Sequence, residues 1–589
     1  MISMFDWLQS LKDDDEIAIF AGAGISKDSG LPLANELKRL ILSKLMAEKE
    51  DIEEITHSGM PFEYFTQCLP IEISEKIFKI FKYGEPNTNH LLIAKLAKLG
   101  IVKNILTTNF DLLFEKALKG EKLDFSTYYT DNDFAGVDLE NSRSGINLFK
   151  IHGSIENYES LKHSLNKVGK GFTPNEKNIM DYLFLNGSHD KVIVLGYSCS
   201  DKFDINPYLQ SLANNKKRIL IVQHDEVYNS FDRIDELIDL GVNTPFYSFD
   251  GIRTICNTRT FIEYFWNIYE KEIGCFIDRK STLKWEIYIN SWGKNIRNCG
   301  IREIVAGELF NSISSFDKAK KYYLKSLAIA TRCKDPYLIY HGHLSFGKLS
   351  HQLQEYDDAF FHFNKALEAI DNHDFGSNHV LAKNEFAKAY CKANCYSCIG
   401  QAYAAVENYK EAVRNYNLGL NIYKLLGDDQ EARVYMELGM CYEELGNIDN
   451  AFKYMSKSLE MKKIIGDLIG IANCYSNLIK LYRVNDPLKS IQCGKKAIEY
   501  FEKIGKKSEI GMSYVNLSIT YNHLNQVEDE LKCLKKAEEI FSQCGHSSHL
   551  TTSLKYILAF ASRENDHGLK KEYEEKIKVI SSSNSYSFD

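Results

Sequence analysis

The stretch Gly22-Ala23-Gly24-Ile25-Ser26 decides the fold of the first half of this 589-residue chain. The apolar run Ile17-Ala18-Ile19-Phe20 leads into it, and residues 33–45 after it have the apolar spacing of a helix. A strand, a glycine turn and a helix in this order direct backbone N–H groups towards a phosphate. The turn lacks the third glycine of a dinucleotide fingerprint, because Lys27 stands there, and it lacks the Gly-Lys-Ser/Thr of a P-loop. On its own it is therefore a weak signal for a nucleotide site, and a plain tight turn is the alternative.

Three further polar clusters follow apolar, strand-like runs later in the chain. The clusters are Thr107-Thr108-Asn109-Phe110-Asp111, Lys150-Ile151-His152-Gly153-Ser154 and Leu195-Gly196-Tyr197-Ser198. In an open parallel sheet, the C-terminal ends of the strands form the edge where ligands bind. The ordered clusters therefore predict an α/β domain with a Rossmann-like parallel sheet and one ligand site at that edge.

At these positions the sequence resembles the sirtuins, whose NAD-binding domain carries a Gly-Ala-Gly-Ile-Ser turn, an Asn-x-Asp segment, a His-Gly pair and a Gly-x-Ser turn. The matching residues are 22–26, Asn109 with Asp111, His152 with Gly153, and Gly196 with Ser198. Residues 86–90 and 107–111 look more like the bacterial sirtuin-like domains of anti-phage defence than like the protein deacetylases. The resemblance covers roughly residues 1–270.

The resemblance implies NAD as the substrate and a set of residues that act on it. It assigns catalysis to His152 and Asn109. It assigns NAD binding to Gly22, Ala23, Gly24, Ser26, Asn109, Asp111, Gly196, Ser198 and Asp201.

Some of these residues have local structural alternatives. Asp111 could instead cap the helix that begins at Leu112. Ser198 with Asp201 fits an N-cap with its acidic partner as well as a contact to the adenosine ribose. We expect His90 to be a structural residue of its helix, and the role of His224 stays open.

The chain departs from the deacetylase sirtuins at two places. Those enzymes hold a structural zinc with two Cys-x-x-Cys pairs, whereas this chain has no cysteine between His152 and Gly196, so we expect no metal. The usual Asp-Phe-Arg is replaced by Leu33-Ala34-Asn35. Both departures weaken the case for an acyl-lysine substrate. Water is then the simplest acceptor, and the reaction would be NAD hydrolysis to nicotinamide and ADP-ribose.

The second half of the chain predicts long helices in a repeating arrangement. A small–aromatic–small spacing, as in Ala359, Phe363 and Ala366, recurs about every 40 residues, with one longer interval before Gly419. The pattern resembles tetratricopeptide repeats and predicts an all-α solenoid. Cys391, Cys395 and Cys398 lie at helical spacing and are expected to be packed side chains. The predicted division is 1–270 (sirtuin-like domain), 271–300 (helical connector), 301–578 (repeats) and 579–589 (C-terminal tail).

Composition restricts the partners. The formal net charge of −8 and pI of about 6.1 give no footprint for nucleic acid. We expect neither a membrane span nor a signal peptide. The 14 scattered cysteines fit reduced thiols in the cytoplasm.

An unrestrained NAD hydrolase would be toxic, so a control device is expected. By the family resemblance, the repeats would sense a protein trigger of phage origin, and the chain would form a homo-oligomer. Two other functions stay open: a protein deacylase or ADP-ribosyltransferase that recruits its substrate through the repeats, and a non-catalytic scaffold that senses NAD or ADP-ribose.

Overall fold

The computed structural model describes most of the chain as helices and strands. The described residues are 4–12, 16–46, 48–69, 71–137, 145–168, 171–199, 201, 204–212, 217–226, 234, 237–240, 244–282, 285–296, 300–371, 385–503, 506–544 and 547–584. The chain divides into two compact units, 1–326 and 327–589. The first unit is an α/β domain and the second consists of helices, so the predicted fold classes are confirmed.

The first unit is organised around an eight-stranded sheet of order β3-β4-β2-β1-β5-β6-β8-β7. Its described strand pairs are parallel except for β7, which pairs antiparallel with β8 at one edge. The strands are β1 (Ile17–Ala21), β2 (Val102–Thr107), β3 (Phe125–Tyr128), β4 (Ile146–Lys150), β5 (Lys191–Leu195), β6 (Arg218–His224), β7 (Ile238–Asp239) and β8 (Asp250–Cys256).

Strand β1 lies at the centre of this sheet and is buried along its whole length. Ile17 and Ile19 join the hydrophobic core that contains Trp266, while Ala18 and Phe20 join a separate core on the other face. A sheet covered on both faces is typical of parallel α/β proteins. This double burial explains why the sequence of β1 is a continuous apolar run and not an alternating one.

Helices cover both faces of the sheet and continue into the connector. The helices of the first unit are α1 (Met4–Gln9), α2 (Ala34–Leu45), α3 (Lys49–His57), α4 (Phe62–Gln67), α5 (Ile71–Phe78), α6 (Thr88–Lys98), α7 (Leu113–Gly120), α8 (Asp131–Ala135), α9 (Leu165–Val168), α10 (Pro174–Asp181), α11 (Ile205–Ser211), α12 (Thr258–Ile268), α13 (Glu270–Ile273), α14 (Glu286–Ile296), α15 (Ile301–Ser312) and α16 (Phe316–Cys333), the last of which contains the boundary between the units. Short 3₁₀ helices span Ser10–Lys12, Ala23–Ser29, Lys79–Lys82 and Tyr158–Ser160, and a π-helical turn spans Tyr182–Asn186.

The second unit consists of consecutive helical pairs. Its helices are α17 (Pro336–Gln352), α18 (Tyr356–Asp371), α19 (Glu385–Ala405), α20 (Tyr409–Leu426), α21 (Gln430–Glu444), α22 (Ile448–Ile465), α23 (Leu468–Asn485), α24 (Pro487–Lys503), α25 (Lys507–His523), α26 (Val527–Cys544), α27 (Ser547–Arg563) and α28 (His567–Asn584).

Glycines allow the two helices of a pair to approach closely. A Cβ on Gly347 would lie 2.6 Å from the ring of Phe363, and one on Gly400 would lie 2.9 Å from the ring of Tyr416. The aromatic side chain therefore occupies the space that the missing side chain leaves. This contact accounts for the aromatic position of the repeat spacing, which Phe363 occupies in its pair.

Several features of the predicted division can be located in the structure. The longer repeat interval contains residues 372–384, which lie outside the described residues. Helix α28 extends to Asn584, so the first part of the predicted tail continues this helix, and residues 585–589 are not described. Cys391, Cys395 and Cys398 are buried in one hydrophobic cluster, as expected. Among the described helices, none combines the length and apolar character that a membrane crossing requires.

Candidate active site

The four predicted clusters lie at the C-terminal ends of four neighbouring strands. Strands β4, β2, β1 and β5 are adjacent in the sheet, in that order. Strands β2, β3 and β4 follow β1 in sequence and lie on one side of it in the sheet, whereas β5 lies on its other side. The order of the strands therefore reverses between β1 and β5. This reversal is the position where open α/β sheets bind their ligands.

The glycines after β1 and β5 pack directly against each other. Gly22 donates its N–H to the carbonyl of Leu195 and Gly24 donates to that of Gly196, both at 2.9 Å. A Cβ on Gly22 would lie 2.6 Å from the carbonyl oxygen of Gly196, and Gly196 itself has a φ of +63°. Side chains at these positions would push the two loops apart. The glycines thus form a cradle in which the backbones of the two loops pack directly against each other.

Substitution Gly22→Ala tests this cradle. We expect a lower melting temperature, equivalent to about 1–3 kcal/mol of lost stability, because the added methyl group meets backbone atoms that cannot rotate away. Gly120→Ala is the matched control, because a Cβ there meets no atom within 4 Å. Thermal denaturation of both variants measures the difference. Equal melting temperatures for the two variants would contradict the close approach.

Asn109 is held in a chain of hydrogen bonds that links two of the loops. Its Nδ2 donates to Ser26 Oγ at 3.1 Å, and Ser26 Oγ donates to Asp111 Oδ2 at 3.0 Å. The chain fixes the orientation of the amide. Asn109 is 6% exposed, and its Oδ1 is buried without a hydrogen-bond partner among the described residues. A buried acceptor without a donor is costly, so Oδ1 is an unsatisfied polar atom at the predicted site.

Asp111 contacts both the start of α7 and the loop after β1. Its Oδ1 accepts the backbone N–H of Leu113 at 3.1 Å, at the start of α7, while Oδ2 accepts from Ser26. Burial raises the pKa of Asp111, and the ammonium group of Lys150 opposes this shift. Leu112 is the N-cap residue of α7, so Asp111 supports the start of the helix from the position before the cap. Its proposed contact to NAD stays a prediction.

Lys150 anchors the Asn109 loop from the end of β4. This lysine is almost fully buried, and its Nζ donates to the carbonyl of Asp111, to Glu115 Oε1 at 2.8 Å and to Ser154 Oγ at 3.2 Å. A buried charge of this kind is stable only when it is paired. The lysine therefore joins the loops after β2 and β4 into one rigid edge.

His152 lies in the loop after β4 and contacts two carboxylates from the loop after β5. Its Nε2 is 3.1 and 3.2 Å from the two carboxylate oxygens of Asp204 and 4.0 Å from Asp201 Oδ2. Burial lowers the pKa of His152, but these two carboxylates raise it, and the net pKa lies above its ordinary value. Burial would raise the pKa of Asp204, but the imidazole holds it well below its usual range.

The same three side chains are the described group whose spacing could admit a metal ion, since one ligand atom from each lies within 4.8 Å of the others. Carboxylate oxygens of Asp201 and Asp204 also accept hydrogen bonds. Asp204 Oδ1 also accepts the N–H of Ile205 at 2.8 Å, and Asp201 Oδ1 accepts the N–H of Asp204 at 3.2 Å. The three side chains form a hydrogen-bonded histidine–carboxylate cluster, and the expected absence of a metal stays a prediction.

Helix α11 resolves one of the open alternatives. It begins at Ile205 with Asp204 as its N-cap, so Ser198 is not the cap of α11. Residues 200, 202 and 203 in this loop lie outside the described residues. The proposed ribose contact of Ser198 and Asp201 stays a prediction.

The remaining histidines have structural positions. His90 is fully buried in α6, where its Nδ1 is 2.8 Å from Asn87 Oδ1, and burial lowers its pKa to about 3. His224 Nδ1 accepts the N–H of Thr258 at 3.2 Å, at the start of α12. Sequence analysis missed Asp204 and Lys150. The position of Lys150 at the end of an apolar strand could have indicated its role. Asp204 gave no such signal, because it lies 52 residues from His152 in sequence.

Comparison with known proteins agrees with this architecture. A family profile described as "SIR2-like domain" matches residues 103–243, and one described as "Tetratricopeptide repeat" matches residues 391–464. The chain therefore carries a SIR2-like domain followed by tetratricopeptide repeats. The match to the solved structure of the apo form of RapI covers 49% of this chain and 98% of the RapI chain, with 12% identity and a TM-score of 0.39.

Curated relatives match only part of the chain. NAD-dependent protein deacylase 2 of Archaeoglobus fulgidus is 33% identical over 99 residues, which are 17% of this chain and 36% of the relative. NAD-dependent protein deacetylase of Clostridium perfringens is 28% identical over 148 residues, 25% of this chain and 47% of the relative. NAD(+) hydrolase ThsA of Acinetobacter baumannii is 29% identical over 153 residues, which are 26% of this chain and 30% of the relative. The chain thus spans less than half the length of these relatives.

Proposed function

We propose that this protein is an NAD⁺ hydrolase that releases nicotinamide and ADP-ribose. The observation that carries the proposal is the unpartnered, buried Oδ1 of Asn109 at the sheet edge that also holds the glycine cradle and His152. An acceptor fixed in this way suits a ribose hydroxyl group. The similarity to NAD-using enzymes, both hydrolase and deacylase, supports NAD as the substrate.

The proposed chemistry needs little from the protein. Nicotinamide leaves NAD⁺ as a neutral molecule, so the bond from its nitrogen to the ribose breaks without protonation of the leaving group. Asn109 would orient the ribose without adding charge. His152 would take a proton from the attacking water or from a ribose hydroxyl group, an effect typically worth about 10²–10⁴-fold. The water oxygen then bonds to the ribose carbon, and one proton is released for each NAD⁺ consumed.

Hydrolysis is favoured over transfer to a protein by the sequence between His152 and Gly196. The deacetylase sirtuins build a zinc module there from four cysteines, and this chain has none in that interval. Protein deacylation or ADP-ribosylation with substrate recruitment by the repeats is the second candidate, because several relatives are deacylases and deacetylases.

We also propose the biological role that the resemblance implies. The protein would act in the cytoplasm as an anti-phage effector whose repeats bind a foreign protein and thereby release NAD cleavage. A helical repeat array offers an extended concave surface for such a partner. The active form would be a homo-oligomer.

Metal removal should leave the proposed reaction unchanged. We expect the same rate of NAD cleavage and the same melting temperature after dialysis against EDTA, because the carboxylates near His152 are occupied by hydrogen bonds and the leaving group needs no Lewis acid. Rate measurements and elemental analysis before and after dialysis test this. Loss of a stoichiometric metal together with activity would contradict it.

Product analysis separates hydrolysis from its alternatives. Purified full-length protein is incubated with NAD⁺, with and without an acetyl-lysine peptide, and the products are separated by HPLC. We expect equimolar nicotinamide and ADP-ribose in both mixtures. Nicotinamide release that requires the peptide and yields an acylated ADP-ribose would establish the deacylase instead, and ADP-ribose attached to protein would establish the transferase.

A further inference from the structure

We propose that Asp204 is a positioning residue for His152: it holds the imidazole with Nε2–H directed at its carboxylate, so that Nδ1 is the basic nitrogen that faces the substrate. The inference deepens the proposed function and rests on it for the identity of the reaction. Its geometric basis is independent of that reaction.

The imidazole is fixed on its Nε2 side. Both carboxylate oxygens of Asp204 are within 3.2 Å of Nε2, and the side chain of Asp204 is fully buried. Asp204 is itself immobilised, because it caps α11 through the N–H of Ile205. The backbone carbonyl of His152 accepts the N–H of Lys162 at 2.8 Å. Together these contacts restrict rotation of the ring and movement of the loop.

The carboxylate also selects the tautomer. An ionised carboxylate only accepts hydrogen bonds, so a neutral imidazole beside it must carry its proton on Nε2. Its lone pair then lies on Nδ1, which has no hydrogen-bond partner among the described residues. A carboxylate that orients a catalytic histidine in this way is a recurring arrangement in hydrolases. Asp204 would not touch the substrate.

The charges around the imidazole of His152 affect its pKa, so the role of Asp204 can be tested through the pH dependence of the reaction. Asp204 and Asp201 favour the protonated imidazole, whereas burial and the ammonium group of Lys162 oppose it. A base is active only when deprotonated, so kcat should fall as the pH drops through the raised pKa of His152. Removing the charge of Asp204 lowers that pKa. The acidic limb of the kcat profile should therefore move to lower pH.

Substitution Asp204→Asn is the decisive variant. Asparagine is as good an N-cap as aspartate, so α11 keeps its cap. The substituted amide can donate to Nε2 and thereby stabilise the wrong tautomer. We expect kcat to fall about 10²–10⁴-fold with little change in KM, and the acidic limb to move to lower pH. Unchanged kcat would overturn the proposal, and so would a lowered kcat with an unmoved limb, because that pattern indicates a structural role.

Asp335→Asn is the matched control. Asp335 is the N-cap of α17 and accepts the N–H groups of Tyr337 and Leu338, so it is a capping aspartate in the other unit, away from His152. We expect this variant to retain the parental kcat and pH profile.

A measurement without turnover separates this proposal from the proposed function. Nitrogen-15 spectra of histidine-labelled protein report which ring nitrogen carries the proton, and the signals of His152 are identified by their loss in His152→Gln. We expect a protonated Nε2 in the parent protein and a protonated Nδ1 in Asp204→Asn. If the parent shows this tautomer but releases no nicotinamide, the proposed function fails and the positioning role stands. A protonated Nδ1 in the parent overturns the positioning role.

Discussion

Substitution His152→Gln is expected to lower nicotinamide release by about 10²–10⁴-fold, the range that loss of a general base typically costs. Glutamine is preferred to alanine because its amide can still donate to Asp204. Alanine would leave that buried carboxylate unpaired, which costs about 3–5 kcal/mol of stability. A loss of rate in the glutamine variant can then be attributed to chemistry and not to unfolding.

Single-turnover rates, with protein in excess of NAD⁺, measure this effect most directly. Circular dichroism and the melting temperature show whether the variant is folded. A folded His152→Gln protein with near-parental turnover would remove His152 from the reaction. A stable but inactive alanine variant would instead show that the Asp204 charge tolerates the loss of its partner.

Substitution Asn109→Ala should give the second large effect. Removing the amide deletes the buried Oδ1 and also frees the Ser26 hydroxyl group from its donor. We expect kcat to fall about 10²-fold, because small misplacement of a bound substrate has that consequence. NAD binding should weaken no more than about tenfold, the equivalent of one hydrogen bond.

Separate measurement of binding and turnover tests the role of Asn109. Equilibrium binding is measured by calorimetry, and turnover of bound NAD⁺ under single-turnover conditions. Asn175→Ala is the control, since this half-buried asparagine lies in the same unit and bonds to Asp131, which follows β3 and not one of the four strands of the site. If binding vanished while bound NAD⁺ turned over normally, the positioning role would be wrong.

The fold was predictable where one pattern determined one element. Apolar runs marked the buried strands, continuous in β1 and interrupted by polar residues in β2 and β4, and the polar residues after them marked the sheet edge. The small–aromatic spacing indicated the helical pairs, because its aromatic residue packs against the helix that comes just before it in sequence, as Phe363 packs against Gly347. These features depend on neighbours in sequence or on a common edge, so the sequence displays them directly.

The partner of His152 could not be predicted in the same way. The loop after β5 offers two aspartates, Asp201 and Asp204, and either could cap a helix. Only the start of α11 at Ile205 decides that Asp204 is the cap and directs its carboxylate at His152. The sequence also does not reveal that the Asn109 amide is oriented by Ser26, because that contact joins residues 83 positions apart.

The repeat period likewise does not show where the first unit ends. Helices α15 and α16 follow the repeat spacing, with a Cβ on Gly307 2.4 Å from the ring of Tyr323. Both nevertheless contribute to the first unit. The buried carboxylate of Asp51 in α3 accepts from Lys318 at 2.7 Å and from Tyr322 at 2.5 Å. These long-range contacts extend the first unit to Ser326.

NAD⁺ consumption by purified full-length protein, followed by HPLC with protein in excess, tests the central claim most directly. The parent protein and His152→Gln are compared alone, with lysate of uninfected cells and with lysate of phage-infected cells. We predict equimolar nicotinamide and ADP-ribose from the parent, fastest with infected lysate, and neither product above background from His152→Gln. Nicotinamide release at the same rate in the parent and in His152→Gln, or none from the parent in any mixture, would contradict the account.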